Sequence, residues 1–147
     1  MSLMISTGLA NAQLTTGGIK SALTGMLMYV YAGTEPVNAD AALGAAQLLL
    51  TVSDAGAGGA LTFAANAVAG VLEKNPSQVW QGTVALTGTA TFCRLALPAD
   101  AGGSSTTAIR IQGDVGVVGK FLNLSSVALT ASSLQKVDYL ALAQPLQ

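Results

Sequence analysis

Apolar residues recur along this chain in short blocks separated by glycine, proline, asparagine and serine, and after residue 25 their spacing is that of strands. Met26-Leu27-Met28-Tyr29-Val30-Tyr31 is too apolar and aromatic for a loop and stops at Gly33, which predicts a strand buried on both faces. Residues 47–52 predict a second strand, stopped by the glycine-rich stretch 54–59, and residues 61–63 and 68–72 are shorter candidates before a turn at Asn75-Pro76-Ser77. Residues 79–86 and 89–97 flank Thr87-Gly88 and predict a hairpin. In its second arm Ala90, Phe92, Arg94 and Ala96 share one face, and Thr91, Cys93, Leu95 and Leu97 the other. Residues 108–112 alternate, setting Ile109 and Ile111 opposite Arg110. The last strands are expected at Leu122 and Leu124, at Val127 and Leu129, and over 137–142. Candidates thus recur about every 8–12 residues, the pattern of an all-β fold built as an antiparallel β-sandwich or barrel-like domain.

Only the start of the chain has a helical flavour. Ser6 or Thr7 can cap a short turn through Leu9, Ala10 and Ala12, residues 19–23 suggest a second, and Gly17-Gly18 separates them. This divides the chain into a short helical N-terminal arm, residues 1–24, and a β-rich domain, residues 25–147. Residues 98–106, from Pro98 through Gly102-Gly103 to Thr106, offer little to a core. They are expected to form a loop that is mobile unless a neighbouring chain packs on it, and whose length can change at small cost.

Composition sharpens this picture. Hydrophobic residues make up 51% of the chain and charged residues 9%, against about 25% charged in a typical soluble domain. Mean hydropathy is +0.56. Such a chain either enters a membrane or leaves a surface of small neutral residues that meets partners. Glycines, Thr62 and Asn66 interrupt the uncharged stretch 55–72, which does not read as a spanning helix, and residues 1–19 lack the basic start of a secretory signal. The expected state is a homo-oligomer, a dimer or trimer, since closed symmetric assemblies predominate. The six basic residues are scattered and net charge is −1, so no nucleic-acid partner is expected. A single cysteine, Cys93, excludes an internal disulfide.

Candidate chemistry is sparse. There is no histidine, which removes the commonest general base and metal ligand. Cys93 lies within an apolar pattern and reads as a small buried hydrophobe. The seven acids are isolated and read as solvated loop residues, and the glycine-rich stretches match no phosphate or dinucleotide loop. The sequence therefore points away from an enzyme and implies no cofactor and no metal. Two arginines stand out. Arg94 and Arg110 occupy mid-strand positions with apolar neighbours, which suits a solvent face or an ion pair across a subunit contact. Trp80 reads as a core anchor. In the uncharged N-terminal segment, Leu3, Met4, Ile5, Leu9 and Leu14 are candidates to contact a neighbouring subunit, unless they cover the chain's own core.

The run Ile5-Ser-Thr-Gly-Leu-Ala-Asn, then Lys20-Ser-Ala-Leu, then Tyr31-Ala-Gly-Thr-Glu-Pro-Val-Asn-Ala-Asp-Ala-Ala-Leu-Gly resembles a family of small structural proteins of tailed bacteriophages. Trp80-Gln-Gly-Thr-Val, Gly88-Thr-Ala-Thr-Phe-Cys-Arg and Arg110-Ile-Gln-Gly look like the same family. The resemblance implies a virion component made in the host bacterial cytoplasm. The favoured role is a head decoration, or cement, protein that binds the outside of the capsid and bridges major capsid subunits. The alternative is a tail- or fibre-associated structural or adhesion module, for which exposed aromatics that stack on sugar would be the sign.

Overall fold

A computed structural model describes residues 3–144. The element order is β1 (Leu3–Ile5), α1 (Thr7–Thr15), α2 (Ile19–Ala22), β2 (Leu27–Ala32), β3 (Gln47–Asp54), β4 (Val71–Glu73), β5 (Trp80–Thr83), β6 (Gly88–Thr89), β7 (Phe92–Ala96), β8 (Ile111–Gly116), β9 (Leu122–Asn123), β10 (Ala128–Leu129), β11 (Leu134–Val137) and β12 (Ala141–Ala143). The protein is all-β and predominantly antiparallel, as the strand spacing predicts. One large sheet runs in the order β1-β8-β7-β2-β3-β5-β11, with β9 added in parallel to β8. Two small pairs, β10-β6 and β12-β4, complete the structure. The large sheet does not close into a barrel: among the described residues its strand order ends at β1 on one side and β11 on the other.

Register fixes what each face of this sheet carries. Val30 lies opposite Cys93, and Cys93 opposite Gly113; Met28 lies opposite Leu95, and Leu95 opposite Ile111. These side chains belong to one continuous apolar core with Leu49, Leu50, Trp80, Leu122, Leu129 and Leu142, so both small strand pairs pack under the same face. Trp80 is buried in that core, edge-on to Phe63, and its Nε1–H donates to Gln78 Oε1. On the opposite face Tyr29 faces Arg94, which faces Gln112, and Tyr31 stacks on Phe92 at 5.1 Å between ring centroids. Strand β2 is therefore covered on both sides, as its unbroken apolar run requires.

Three expectations are corrected. The arms flanking Thr87-Gly88 do not pair with each other: β5 joins β3 and β11, whereas β7 joins β2 and β8. Glycine accounts for part of this choice. At Gly82 a Cβ would stand 2.0 Å from the Thr51 carbonyl oxygen, so only glycine lets β5 lie this close to β3. Second, the N-terminal segment is not a detached arm. Ser6 caps α1 as expected, accepting from the Leu9 N–H, but residues 3–5 form β1 in the main sheet and Leu9 and Leu23 enter the core. Residues 1–2 and 145–147, at the ends of the two expected regions, lie outside the described residues.

The third correction concerns residues 98–106, which are anchored. Leu43 N–H donates to the Gly102 carbonyl, Ser105 N–H to the Asp40 carbonyl, and the Asp100 carboxylate accepts from Gly102 N–H and from Arg110. Small polar residues gave the loop no apolar burial, but hydrogen bonds and one ion pair supply the anchorage instead. Among the described residues no helix is long and apolar enough to cross a membrane.

Candidate interaction surface

Arg94 is mid-strand in β7 as expected, whereas Arg110 lies just before β8 rather than within a strand, and both are sealed beneath loops. Arg110 is 1% and Arg94 2% exposed. Arg110 reaches the loop after β7: its Nε and Nη2 donate to the two oxygens of Asp100 at 2.6 and 2.7 Å, a bidentate fork. The remaining donors meet main-chain carbonyls, Nη1 that of Ala39 at 3.2 Å and Nη2 that of Gly103 at 2.8 Å. Arg94, on β7, donates from Nε to Gln112 Oε1 at 2.8 Å and from Nη2 to the Ala41 carbonyl at 2.7 Å. Gln112, also buried, passes the link on from Nε2 to the Pro36 carbonyl at 2.8 Å. Two cations and one amide thus clamp residues 36–41 and 100–103 onto the sheet.

This settles where the candidate ion pairs lie. The carboxylate partner of Arg110 is Asp100 of the same chain, and both guanidinium groups are buried within the chain's own fold. Asp100 is also not a solvated loop acid. The Arg110 hydrogen bonds hold its carboxyl below the ordinary range, against the opposing pull of partial burial. Asp40 is lowered too, because the Thr7 hydroxyl and N–H both donate to it, tying the first turn of α1 to residues 38–41. Burial lowers Arg94, with the Arg110 charge adding to the effect. Burial raises Tyr31 to about 12 and raises the fully enclosed thiol of Cys93. Among the described residues no three of His, Cys, Asp and Glu are grouped to hold a metal ion.

The N-terminal candidates separate into two groups. Leu9 is wholly buried in the chain's own core and Met4 is half-buried. Leu3, Ile5 and Leu14 are 39%, 45% and 85% exposed, high values for large apolar side chains. Leu3 and Ile5 line a groove of about 620 Å³ at the β1 edge of the sheet. Ile19, Leu72, Ile111 and Leu142 supply much of the rest of its wall, and Lys20 is the one charged side chain in it. The neighbouring tip, residues 64–70, exposes Ala65, Ala67 and Val68 beside it. Elsewhere Val37, Val117 and Val118 are exposed singly or in a pair at loop tips.

Fold and surface together define an all-β protein with buried polar clamps on one face, an open apolar groove and an unpaired strand edge. The chain matches no protein-family model, no curated protein and no solved structure. Sequence reasoning missed Asp100, Gln112 and Asp40 as determinants. The one available signal was Arg110 in an otherwise apolar alternation, since a buried guanidinium demands a nearby acceptor.

Proposed function

We propose that this chain is a structural protein of a tailed-phage virion, and specifically a head decoration protein that binds the outer capsid surface and itself. One observation carries the structural half of this reading. An apolar groove of about 620 Å³ lies in a charge-poor surface around β1, where Leu3 and Ile5 remain open to solvent. Such a surface works by being covered, and covering it yields adhesion without covalent chemistry. The sequence resemblance supplies the setting, with the major capsid protein as partner and the head exterior as location.

The aromatic side chains favour this role over a glycan-binding tail module. Of seven aromatic residues only Tyr139 is largely exposed; Tyr29 is half-buried and the others are buried. A sugar-stacking platform needs more than one isolated ring. The binding test is sedimentation with shells assembled from the major capsid protein. The chain is expected to pellet with shells to a saturating stoichiometry and to raise the temperature at which they disassemble. A chain that stays in the supernatant at tens of micromolar contradicts the proposal.

A further inference from the structure

We infer that two copies of this chain join through β1, edge to edge and antiparallel about a two-fold axis at Met4. This rests on the self-association in the proposed function and identifies the surface that performs it. The backbone gives the reason. Ser6 N–H donates to the Arg110 carbonyl, and β1 runs antiparallel to β8 with Met4 opposite Gln112 and Ile5 opposite Ile111. In an antiparallel pair hydrogen-bonded and non-hydrogen-bonded positions alternate, so Met4 and Ser6 face β8 while the N–H and C=O groups of Leu3 and Ile5 face outward. Among the described residues nothing pairs with that outward edge.

An open edge of this kind recruits an extended backbone, and proteins ordinarily guard such edges with charge. The far edge of the sheet has such a guard, since β11 carries Lys136. Strand β1 has none: its three residues are uncharged, and Lys20, in the wall of the neighbouring groove, donates its Nζ to the Ala64 and Ala65 carbonyls. A second copy meets no like charge on β1 itself, and the pairing is self-complementary. Leu3 of one copy lies opposite Ile5 of the other, each pair exchanging both N–H···O bonds, and the two Met4 residues face each other at the axis. The Leu3 and Ile5 side chains of both copies then share one face, so the two apolar grooves become continuous. A two-fold contact closes on itself, whereas joining β1 to β11 would propagate into a filament.

Replacing Ile5 by proline tests this directly. The Ile5 N–H points outward and has no partner among the described residues, so proline removes an interchain donor and leaves the bonds to β8 in place. Sedimentation equilibrium of the wild-type chain at tens of micromolar should give twice 14.6 kDa, and Ile5→Pro should give 14.6 kDa with an unchanged circular dichroism spectrum. A wild-type monomer, or a folded Ile5→Pro variant that remains a dimer, overturns the inference.

Met4→Cys covers the case in which proline prevents folding. Residues facing across the axis at a non-hydrogen-bonded pair have Cα atoms about 4.5 Å apart, within the roughly 4.4–6.8 Å that a disulfide spans. Cys93 is buried and cannot compete. Mild oxidation should convert most of the Met4→Cys protein to a covalent dimer; no covalent dimer overturns the inference. A monomeric wild-type chain that still pellets with capsid shells would refute this contact and leave decoration standing. A β1-linked dimer that ignores shells would do the reverse.

Discussion

Arg110 pays for its burial by having every guanidinium nitrogen matched. Its fork on Asp100 neutralises the charge, and two carbonyls from different loops each accept one further hydrogen. Breaking such a pair leaves a buried cation uncompensated, which costs roughly 3–5 kcal/mol, and because Asp100 is 12% exposed the lower end applies. Asp100→Asn is therefore expected to lose about 3 kcal/mol in urea unfolding. The pH dependence has a definite sign. The folded carboxyl titrates below its unfolded value of about 3.9, so its contribution is complete above that value and fades as pH falls through the lower folded one. Wild type should lose stability below about pH 4, and Asp100→Asn should lose less over the same interval. Parallel acid curves for the two proteins would show that the pair contributes nothing.

Elements differ in how much of their placement is local. β2 was legible because six successive apolar or aromatic residues can only be a strand with cover on both faces. The cap at Ser6 and the break at Gly17-Gly18 were legible because each acts within one turn. β1 was not, since three residues have no periodicity of their own and become a strand only where β8 offers an edge. The hairpin expected at Thr87-Gly88 failed for a similar reason: Gly88 and Thr89 pair with β10, and both flanking strands have better partners at long range. Residues 98–106 show composition misleading in the other direction. Gly102 sits at φ +78°, a left-handed backbone suited to glycine, and both Gly102 and Gly103 offer carbonyls that hold neighbouring loops. Replacing residues 99–104 by a Gly/Ser linker of equal length removes Asp100 and disorders those carbonyls. The expected result is a melting temperature lower by roughly 10 °C, taking about 3 kcal/mol at ~3 °C per kcal/mol for a chain of this size. A change under 3 °C would show the loop to be a passive connection.

At the scale of the whole molecule, a 9% charged chain folds with its polar contacts turned inward and several apolar side chains left at the surface. The clamps of Arg94 and Arg110 tie residues 36–41 and 100–103 to one face of the sheet, and the apolar groove opens at the β1 edge. All-β architecture was legible from strand spacing, whereas the groove was not, because its walls come from β1, α2, β4, β8 and β12, which only the fold brings together. The proposed adhesion of this surface to a capsid shell is tested on the virion itself. The direct measurement is a cryo-electron microscopy map of the native phage head, with the chain's fold fitted into density outside the capsid floor. The expected result is ordered, symmetry-related copies on the outer surface that contact adjacent major capsid subunits. A bare outer surface, with the chain found in the tail or missing from the particle, would contradict it.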